Sequence, residues 1–322
     1  MPAFGTILTG DALAMLRTLP DQSVHCCVTS PPYWGLRDYG VAGQIGLEPT
    51  VEEHIDALTR VFRKVRRVLH NDGTLWVNYG DMYSHDGKWG GSTSGKHNPE
   101  LHGATGIGRL KVKTNLGNKN FLGLPWRLAF ALQADGWYLR SDIIWHKPNC
   151  MPESVKDRPT RAHEYLFLLS KAGRYYYDHK AVREPSAPSR KGNAKTFRGG
   201  GVYTGGRSFD NSTMTYPLYT RNRRSVWSVA THPFPDAHFA TFPPDLIPDL
   251  IRPCALAGCP AGGVVLDPFF GTGTVGVVCV EEARRYLGIE INPDYVAMAE
   301  RRIGQARPKG PQPLSLLDMG VA

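Results

Sequence analysis

Short apolar segments alternate along the chain with amphipathic ones, and this alternation predicts an α/β protein. Residues 24–28 and 264–266 are brief, apolar and rich in β-branched side chains, as is typical of strands that are buried on both faces. Apolar residues also recur every three or four positions between residues 51 and 69, after a Thr50-x-x-Glu53 capping box. This second pattern predicts a packing helix. The chain is therefore expected to form a doubly wound, Rossmann-like α/β sheet.

Further segments extend this pattern. Residues 122–134 predict a helix and residues 138–145 predict a strand. A last helix is expected to begin at Asn292-Pro293, because asparagine and proline favour the first positions of a helix, and to run through residue 303. Pro248 and Pro253 interrupt the segment before the second apolar strand. The helix expected there is therefore short or kinked.

Residues 29–33, Thr-Ser-Pro-Pro-Tyr, form a rigid loop of acceptor groups at the end of the first apolar strand. A proline fixes φ and has no N–H, and it also holds the preceding residue extended. Pro31 and Pro32 therefore offer carbonyl groups without donors, and the Ser30 hydroxyl is a further acceptor. An exocyclic amine can donate its two hydrogens to Ser30 and Pro31 while Tyr33 stacks on the ring that carries it. Since an isolated Pro-Pro-Tyr also occurs in ordinary turns, the rest of the chain must decide its meaning.

Residues 264–274, Val-Val-Leu-Asp-Pro-Phe-Phe-Gly-Thr-Gly-Thr, join an apolar strand to an acidic residue and a glycine loop. The loop lacks the Gly-Lys-Ser/Thr ending of phosphate loops and the Gly-x-Gly-x-x-Gly spacing of dinucleotide sites. Glu290 ends the next predicted strand, about 20 residues after the loop, where a carboxylate binds ribose hydroxyls. The two features predict a nucleoside cofactor without a phosphate cradle. S-adenosyl-L-methionine fits, with Asp267 facing its charged amino-acid end and Glu290 its ribose.

Three groups of motifs occur in order along most of the chain. The opening group is Gly10-Asp-Ala-Leu13, Leu19-Pro-Asp-x-Ser-Val24 and Thr29-Ser-Pro-Pro-Tyr33. The central group is Trp145-His-Lys-Pro-Asn149, Asp157-Arg-Pro-Thr160 and His163-Glu-Tyr165. The closing group is His238-Phe-Ala-Thr-Phe-Pro243, Asp267-Pro-Phe-Phe-Gly-Thr-Gly-Thr274 and Gly288-Ile-Glu-Ile-Asn292. Together they resemble the DNA amino-methyltransferases of the permuted (β) class, in which the catalytic Ser/Asp-Pro-Pro-Tyr segment precedes the cofactor-binding segment.

This resemblance implies a methyltransferase sheet with circularly permuted motif order and an inserted target-recognition region. It implies catalysis by Ser30, Pro31, Pro32 and Tyr33. It also implies that Asp11 binds the cofactor adenine and that Phe242 helps to line the methionine pocket. The expected cofactor-binding set is Asp11, Thr29, Phe242, Asp267, Pro268, Phe269, Gly271, Gly273, Thr274, Glu290 and Asn292.

Basic residues are concentrated between the central and closing motifs. The chain carries 38 Lys and Arg against 29 Asp and Glu, a net charge of +9. Positions 183–224 contribute nine of these cations against only two acids, in a segment rich in Gly, Ser, Asn and Tyr. A solvated insertion without a partner has a similar composition, but the resembling family carries its target-recognition region here. We therefore expect contact with double-stranded DNA through Lys191, Lys195, Arg198, Arg207, Arg221, Arg223 and Arg224.

A second polar insertion spans about residues 84–120, with three histidines and six Lys or Arg against two acids. It suits a mobile lid or a second DNA-contacting loop, and it equally suits a flexible insertion without a role. His85, His97 and His102 lack helical metal spacing and have no cysteine nearby, so no metal site is predicted.

The predicted reaction is site-specific transfer of a methyl group from S-adenosyl-L-methionine to an exocyclic amine of a base flipped out of duplex DNA. Both cytosine and adenine present an amine beside a ring nitrogen. Within the resembling family, a serine at position 30 favours cytosine N4 over adenine N6. Methylation of RNA or of a protein, and a non-catalytic DNA-binding role, stay open as alternatives.

Six cysteines lack zinc-ribbon spacing, and several lie in apolar segments, as expected of reduced, buried thiols. Cys254 follows Pro253, as the nucleophile does in cytosine carbon-5 methyltransferases, but Pro31-Pro32-Tyr33 already occupies the catalytic strand exit. No apolar segment reaches the roughly 18 residues that a membrane-spanning helix needs. We therefore expect a cytoplasmic protein, bacterial or encoded by a phage in a bacterial host.

The expected organisation is a single methyltransferase domain in two parts. Residues 1–182 form the catalytic part, 183–228 the target-recognition insertion, 229–305 the cofactor-binding part and 306–322 a flexible tail. Whether the protein forms a homodimer or acts beside a cognate restriction nuclease cannot be read from these motifs.

Overall fold

The computed structural model describes residues 4–35, 41, 43–84, 116–186, 220–231 and 250–308. The strands are β1 (Gly5–Thr9), β2 (Val24–Thr29), β3 (Leu69–Tyr79), β4 (Tyr138–His146), β5 (His163–Ser170), β6 (Glu184–Pro185), β7 (Thr220–Arg221), β8 (Val226–Ser228), β9 (Val264–Asp267) and β10 (Arg285–Glu290). The helices are α1 (Ala12–Thr18), α2 (Val51–Val68), α3 (Leu124–Ala134), α4 (Arg252–Gly258), α5 (Thr274–Glu281) and α6 (Pro293–Gln305).

Eight of these strands form one sheet in the order β1-β10-β9-β2-β3-β5-β4-β8. The first five strands in this order, β1, β10, β9, β2 and β3, are parallel to one another. By contrast, β5 runs antiparallel to both β3 and β4. The predicted α/β fold with a doubly wound, Rossmann-like sheet is confirmed. The first strand in the chain lies at one edge and the last lies beside it, so the sheet is assembled from both ends of the sequence.

The sheet separates two hydrophobic cores. Helices α1, α2 and α3 pack on one face, and α4, α5 and α6 pack on the other. The last residues of β2 alternate between these cores: Cys26 and Val28 belong to one, and Cys27 to the other. The pairing of β2 with β3 shifts register between Val24 and Cys26, and Val24 packs in the same core as Cys27. A strand covered on both faces is apolar on both, which is why residues 26–28 carry no polar alternation.

The strand that carries Ser30 lies next to the strand that carries Asp267. β2 and β9 are parallel neighbours, with Cys27 opposite Leu266. These two strands are neighbours although they lie far apart in the sequence. Their exit loops emerge at the same edge of the sheet, where doubly wound folds bind ligands.

Several element boundaries differ from the predicted ones. α2 ends at Val68 and β3 begins directly at Leu69, so the last residue of the predicted helical pattern belongs to the strand. α4 has only seven residues and starts with a proline in its first turn, which confirms the short helix expected there. β8 pairs with β4 and extends the central sheet, although the predicted target-recognition insertion, 183–228, included it.

A hydrogen-bonded chain of three polar side chains lies inside the fold behind the Pro-Pro-Tyr loop. The imidazole of His54 on α2 is fully buried; its Nδ1 lies 2.7 Å from Glu48 Oε2 and its Nε2 lies 2.6 Å from the Tyr79 hydroxyl. Burial raises the pKa of Tyr79, so its hydroxyl stays protonated and donates to Nε2. His54 then donates from Nδ1 to the Glu48 carboxylate.

Replacing Tyr79 with phenylalanine should lower the free energy of unfolding by about 1–2 kcal/mol, because the buried Nε2 acceptor of His54 loses its donor. Urea denaturation measures this difference. Tyr138→Phe is the matched control, since Tyr138 is 51% exposed on β4 and should change stability little. Equal effects of the two substitutions would contradict a stabilising role for the buried chain.

Candidate active site

A cavity of about 300 Å³ opens at the carboxyl ends of the parallel strands. It is one continuous space that reaches both the Ser-Pro-Pro-Tyr loop and the glycine loop. Its described lining residues include Gly10, Asp11, Ser30, Pro31, Pro32, Tyr33, Gly43, Gln44, Ile45, Asn78, Trp145, Lys147, Glu164, Thr231, Asp267, Pro268, Phe269, Phe270, Gly271, Thr272, Thr274, Glu290 and Tyr295. The two predicted half-sites therefore share a single pocket.

Asp267 ends β9 and is almost fully buried, with 3% of its surface exposed. Its Oδ1 accepts from the Thr29 hydroxyl at 2.7 Å and from the Phe269 amide at 3.0 Å. Within the described part of the chain, no donor reaches Oδ2, so this oxygen is available to a ligand in the cavity. Burial raises the pKa of Asp267 to about 7, since the two donors do not offset the loss of water and the nearby Glu290 adds to the rise.

Glu290 ends β10 and holds the glycine loop. Its Oε2 accepts from the Gly271 amide at 2.7 Å, and its Oε1 accepts from the Asn292 amide at 2.9 Å. Burial raises the pKa of Glu290 despite these two bonds. Each carboxylate oxygen retains a lone pair for a further donor, so Glu290 can shape the loop and still bind a hydroxyl group.

Asp11 also has a structural role in addition to lining the cavity. Its Oδ1 caps α1 by accepting from the Ala14 amide at 2.8 Å. Three other predicted cofactor residues do not line the cavity: Thr29 supports Asp267, Gly273 begins α5, and Asn292 caps α6. Phe242 lies outside the described residues.

The position of Gly273 explains why it is a glycine. Its φ of +77° is in the left-handed region, and an added Cβ would lie 2.7 Å from the Cβ of Ala299 on α6. A side chain would therefore push the loop and helix apart. Gly273 supports the site from outside the cavity, since it packs against α6 and its amide donates to the Phe270 carbonyl at 3.0 Å.

All four residues of the Ser-Pro-Pro-Tyr loop, for which the sequence predicts a catalytic role, line the cavity. The Ser30 hydroxyl donates to Asn78 Oδ1 at 3.5 Å, which leaves the lone pairs of the serine oxygen for other donors. The Tyr33 hydroxyl donates to Glu164 Oε2 at 2.9 Å. Burial raises the pKa of Tyr33, and the neighbouring Glu164 charge raises it further, so this hydroxyl remains protonated.

The ring of Tyr33 is held from behind by two residues at the end of β3. The edge of the Tyr79 ring meets it with centroids 5.1 Å apart. A Cβ on Gly80 would lie only 2.5 Å from Tyr33 Cε2, so any side chain at position 80 would collide with the ring. These two contacts limit the ring from behind, and the ring forms one wall of the cavity.

Asn78, Trp145, Lys147 and Glu164 line the cavity but were assigned no role from the sequence. Three of them belong to the segments Trp145-His-Lys-Pro-Asn149 and His163-Glu-Tyr165, which carried the family resemblance. Asn78 is a polar residue that directly follows the apolar run 75–77 of β3, and that interruption was the available signal. Strand pairing brings them together, since β4 places Trp145 opposite Glu164.

The described part of the basic segment 183–224 is organised around one carboxylate. Arg221 and Arg224 donate from Nε to Glu184 Oε1 at 2.7 Å and 2.6 Å. The guanidinium of Arg223 lies 4.4 Å from the ring centroid of Trp227. Lys191, Lys195, Arg198 and Arg207 lie outside the described residues.

Two other features of the described residues bear on the chemistry. Cys254 is fully buried on α4, donates to the Leu250 carbonyl and does not line the cavity; burial raises the pKa of its thiol. This position does not suit a nucleophile.

Within the described ranges, no cluster of His, Cys, Asp or Glu could hold a metal ion, and no helix is long and apolar enough to cross a membrane.

The cavity and fold can now be compared with known proteins. A model of the N6/N4 methyltransferase family, described as DNA methylase, matches residues 24–301. The chain belongs to this DNA methylase family. The methylase is 52% identical over 298 residues to the Type II methyltransferase M.Cfr9I of Citrobacter freundii, a match that covers 92% of this chain and 87% of that protein.

Solved structures share the fold of this DNA methylase. The PvuII DNA methyltransferase, described as cytosine-N4-specific, superposes with a TM-score of 0.62 at 18% identity, over 93% of this chain and 86% of the other. A protein of Thermus thermophilus in complex with S-adenosyl-L-methionine superposes with a TM-score of 0.55 at 25% identity, over 94% and 95% of the two chains. The central sheet of the methylase is therefore the Rossmann-like methyltransferase sheet.

Proposed function

We propose that this chain is a Type II DNA methyltransferase of the permuted class that methylates cytosine N4 in double-stranded DNA. The observation that carries the proposal is the single cavity that joins Asp267 and Glu290 to Ser30 and Tyr33. A methyl donor and an acceptor amine must meet directly, and a shared pocket allows this. The family match and the similarity to M.Cfr9I support the reaction class.

The cofactor is S-adenosyl-L-methionine, which supplies an electrophilic methyl group on a positively charged sulfur. The donor set of the cavity fits it. Asp267 Oδ2 is a buried acceptor suited to an ammonium group, and the Glu290 carboxylate is suited to ribose hydroxyls. Asp11 and Phe269 complete the wall on this side.

On the acceptor side, the chain contributes orientation and electrostatics. The Ser30 oxygen, whose proton is directed to Asn78, and the Pro31 carbonyl accept the two amine hydrogens. These bonds stabilise positive charge as it develops on the nitrogen. Tyr33 covers one face of the flipped base. Holding the methyl donor and the amine in one pocket also accelerates the reaction through proximity.

The walls of the acceptor side also favour cytosine. Cytosine presents two acceptors, N3 and O2, beside its amine, whereas adenine presents N1 followed by a C–H group. The Lys147 ammonium, which has hydrogens beyond the one directed to Glu164, is a donor that lines this part of the cavity. It adds to the preference that the serine at position 30 indicates.

Nucleoside analysis tests this function. The protein is incubated with labelled S-adenosyl-L-methionine and genomic DNA, RNA or protein, and the products are digested and identified by mass spectrometry. N4-methylcytosine in DNA is expected. N6-methyladenine would correct the base and leave the mechanism intact, 5-methylcytosine would contradict both, and transfer only to RNA or protein would contradict the substrate class.

For DNA binding we propose a target-recognition region that starts at residue 183 and ends before β8. The logarithm of the association constant for DNA falls linearly with the logarithm of the salt concentration, and removing a phosphate-contacting cation lowers the magnitude of this slope by about 1. We expect this change for Arg221→Ala, and a steeper slope for Glu184→Gln, because the latter leaves two guanidinium groups without their carboxylate.

Filter-binding titrations over a range of salt concentrations measure these slopes. Arg60→Ala on α2 is the matched control, since Arg60 is also an exposed arginine that is paired with an acid, Asp56. A triple variant of Arg221, Arg223 and Arg224 with a wild-type slope would mean that these residues do not contact phosphates.

A further inference from the structure

Glu164 occupies a central place on the acceptor side of the cavity, yet the chemistry described above does not use it. Its side chain is 18% exposed and belongs to the first residues of β5. On the acceptor side it is the one acidic residue among those described as lining the cavity; Asp11, Asp267 and Glu290 lie on the cofactor side. A largely buried carboxylate is costly unless it is fully paired.

Both oxygens of Glu164 are paired, and the described side chains that pair with them all line the cavity. Oε1 accepts from Lys147 Nζ at 2.5 Å. Oε2 accepts from the Tyr33 hydroxyl at 2.9 Å and from Asn78 Nδ2 at 3.2 Å. The carboxylate therefore links the catalytic loop to β3 and to the end of β4.

These contacts complete the restraints on Tyr33. Gly80 and Tyr79 limit the ring from behind, but they leave it free to tilt toward the open cavity. The bond from the hydroxyl to Glu164 fixes the far end of the ring. Lys147 in turn fixes the carboxylate, since its ammonium also lies 4.1 Å from the centroid of the Trp145 ring and has little room to move.

We propose that Glu164 is a positioning residue that presets the plane of Tyr33 for stacking on the flipped target base, with Lys147 holding the carboxylate in place. This inference rests on the proposed function. A preset ring loses little freedom when the base arrives, so Glu164 acts on the DNA step without touching the cofactor. The inference therefore predicts that substitutions of Glu164 impair the reaction with DNA and leave cofactor binding unchanged.

A double-mutant cycle between Tyr33 and Glu164 tests the inference. Tyr33→Phe keeps the ring and removes only the hydroxyl, and Glu164→Gln keeps the shape and removes the charge. For each variant, kcat and KM are measured with a duplex that the wild type methylates, and the Kd of S-adenosyl-L-methionine is measured by calorimetry. Glu153→Gln is the matched control, because Glu153 pairs with Arg158 and does not line the cavity.

Each single variant is expected to lower kcat/KM for DNA about tenfold, as the loss of a hydrogen bond to a charged group does. The cofactor Kd should stay within about twofold of the wild type, and the double variant should be no worse than the singles. Glu153→Gln should match the wild type. Multiplicative losses, unchanged kcat/KM or a parallel rise in the cofactor Kd would each overturn the inference.

Two provisions keep the outcome clear. If Glu164→Gln does not fold, Glu164→Asp replaces it, since the shorter side chain keeps the charge and withdraws from Tyr33. If the wild type transfers no methyl group to DNA, the proposed function and the inference both fall. If it does transfer and the cycle is multiplicative, only the inference falls.

Discussion

Replacing Asp267 with asparagine is expected to weaken cofactor binding strongly and to make the protein more stable above pH 7. Asparagine keeps an oxygen that can accept from Thr29 and Phe269, so the loop geometry survives. It removes the buried charge that we propose faces the ammonium group of S-adenosyl-L-methionine. Truncating one partner of a buried charge pair costs roughly 2–5 kcal/mol, so the Kd should rise about 30-fold or more.

The stability gain follows from the pKa of Asp267, which is about 7 in the folded protein against an ordinary value of 3.8. At pH values between 3.8 and about 7, Asp267 retains a proton in the folded state that it has released in the unfolded state. This contribution to stability is therefore complete below pH 3.8 and is lost as the pH rises through 7. The loss amounts to at most about 4 kcal/mol, and a neutral asparagine avoids it.

Calorimetry and urea denaturation at pH 6 and pH 8.5 check both parts of this expectation. For the wild type, cofactor affinity should fall as the pH drops below about 7, because protonation neutralises the Asp267 carboxylate. The asparagine variant should lose this pH dependence. A variant that binds S-adenosyl-L-methionine normally, or that is less stable than the wild type at pH 8.5, would contradict the assigned role.

Adding a single methyl group at Gly80 should impair methylation of DNA without affecting the cofactor. In Gly80→Ala the new Cβ would lie 2.5 Å from Tyr33 Cε2, and the ring must move out of the place where its hydroxyl is bound to Glu164. Loss of base stacking costs roughly 1–3 kcal/mol, or about 5- to 150-fold in kcat/KM for DNA. Steady-state kinetics with DNA and calorimetry with S-adenosyl-L-methionine measure the two effects separately.

Gly304→Ala is the matched control for this substitution. Gly304 lies in α6, and an added Cβ there meets no atom within 4 Å. That variant should keep full activity and gain about 0.5–1 kcal/mol of stability, because alanine is the better helix former. Equal losses of activity at both positions would mean that the effect at Gly80 is not specific to Tyr33.

Much of the fold, and the place of the Ser-Pro-Pro-Tyr loop on the cavity, could be predicted from the sequence because they depend on local chemistry. Apolar runs with no polar alternation indicated strands covered on both faces, and prolines indicated where α4 would be short. The residue types of Ser30–Tyr33 and Asp267–Thr274 define what each loop can bind whatever surrounds it, so both loops were expected at the site.

The tertiary structure alone decided which side chains complete the site and how each acts. Glu164, Lys147 and Asn78 lie on or directly after three different strands, and only the pairing of β3, β4 and β5 brings them to Tyr33. Burial depends on the whole fold as well, so no local pattern predicts the raised pKa of Asp267 or the division of its two oxygens between protein and cavity. Sequence motifs specify chemical groups, whereas packing determines their distances and their access to water.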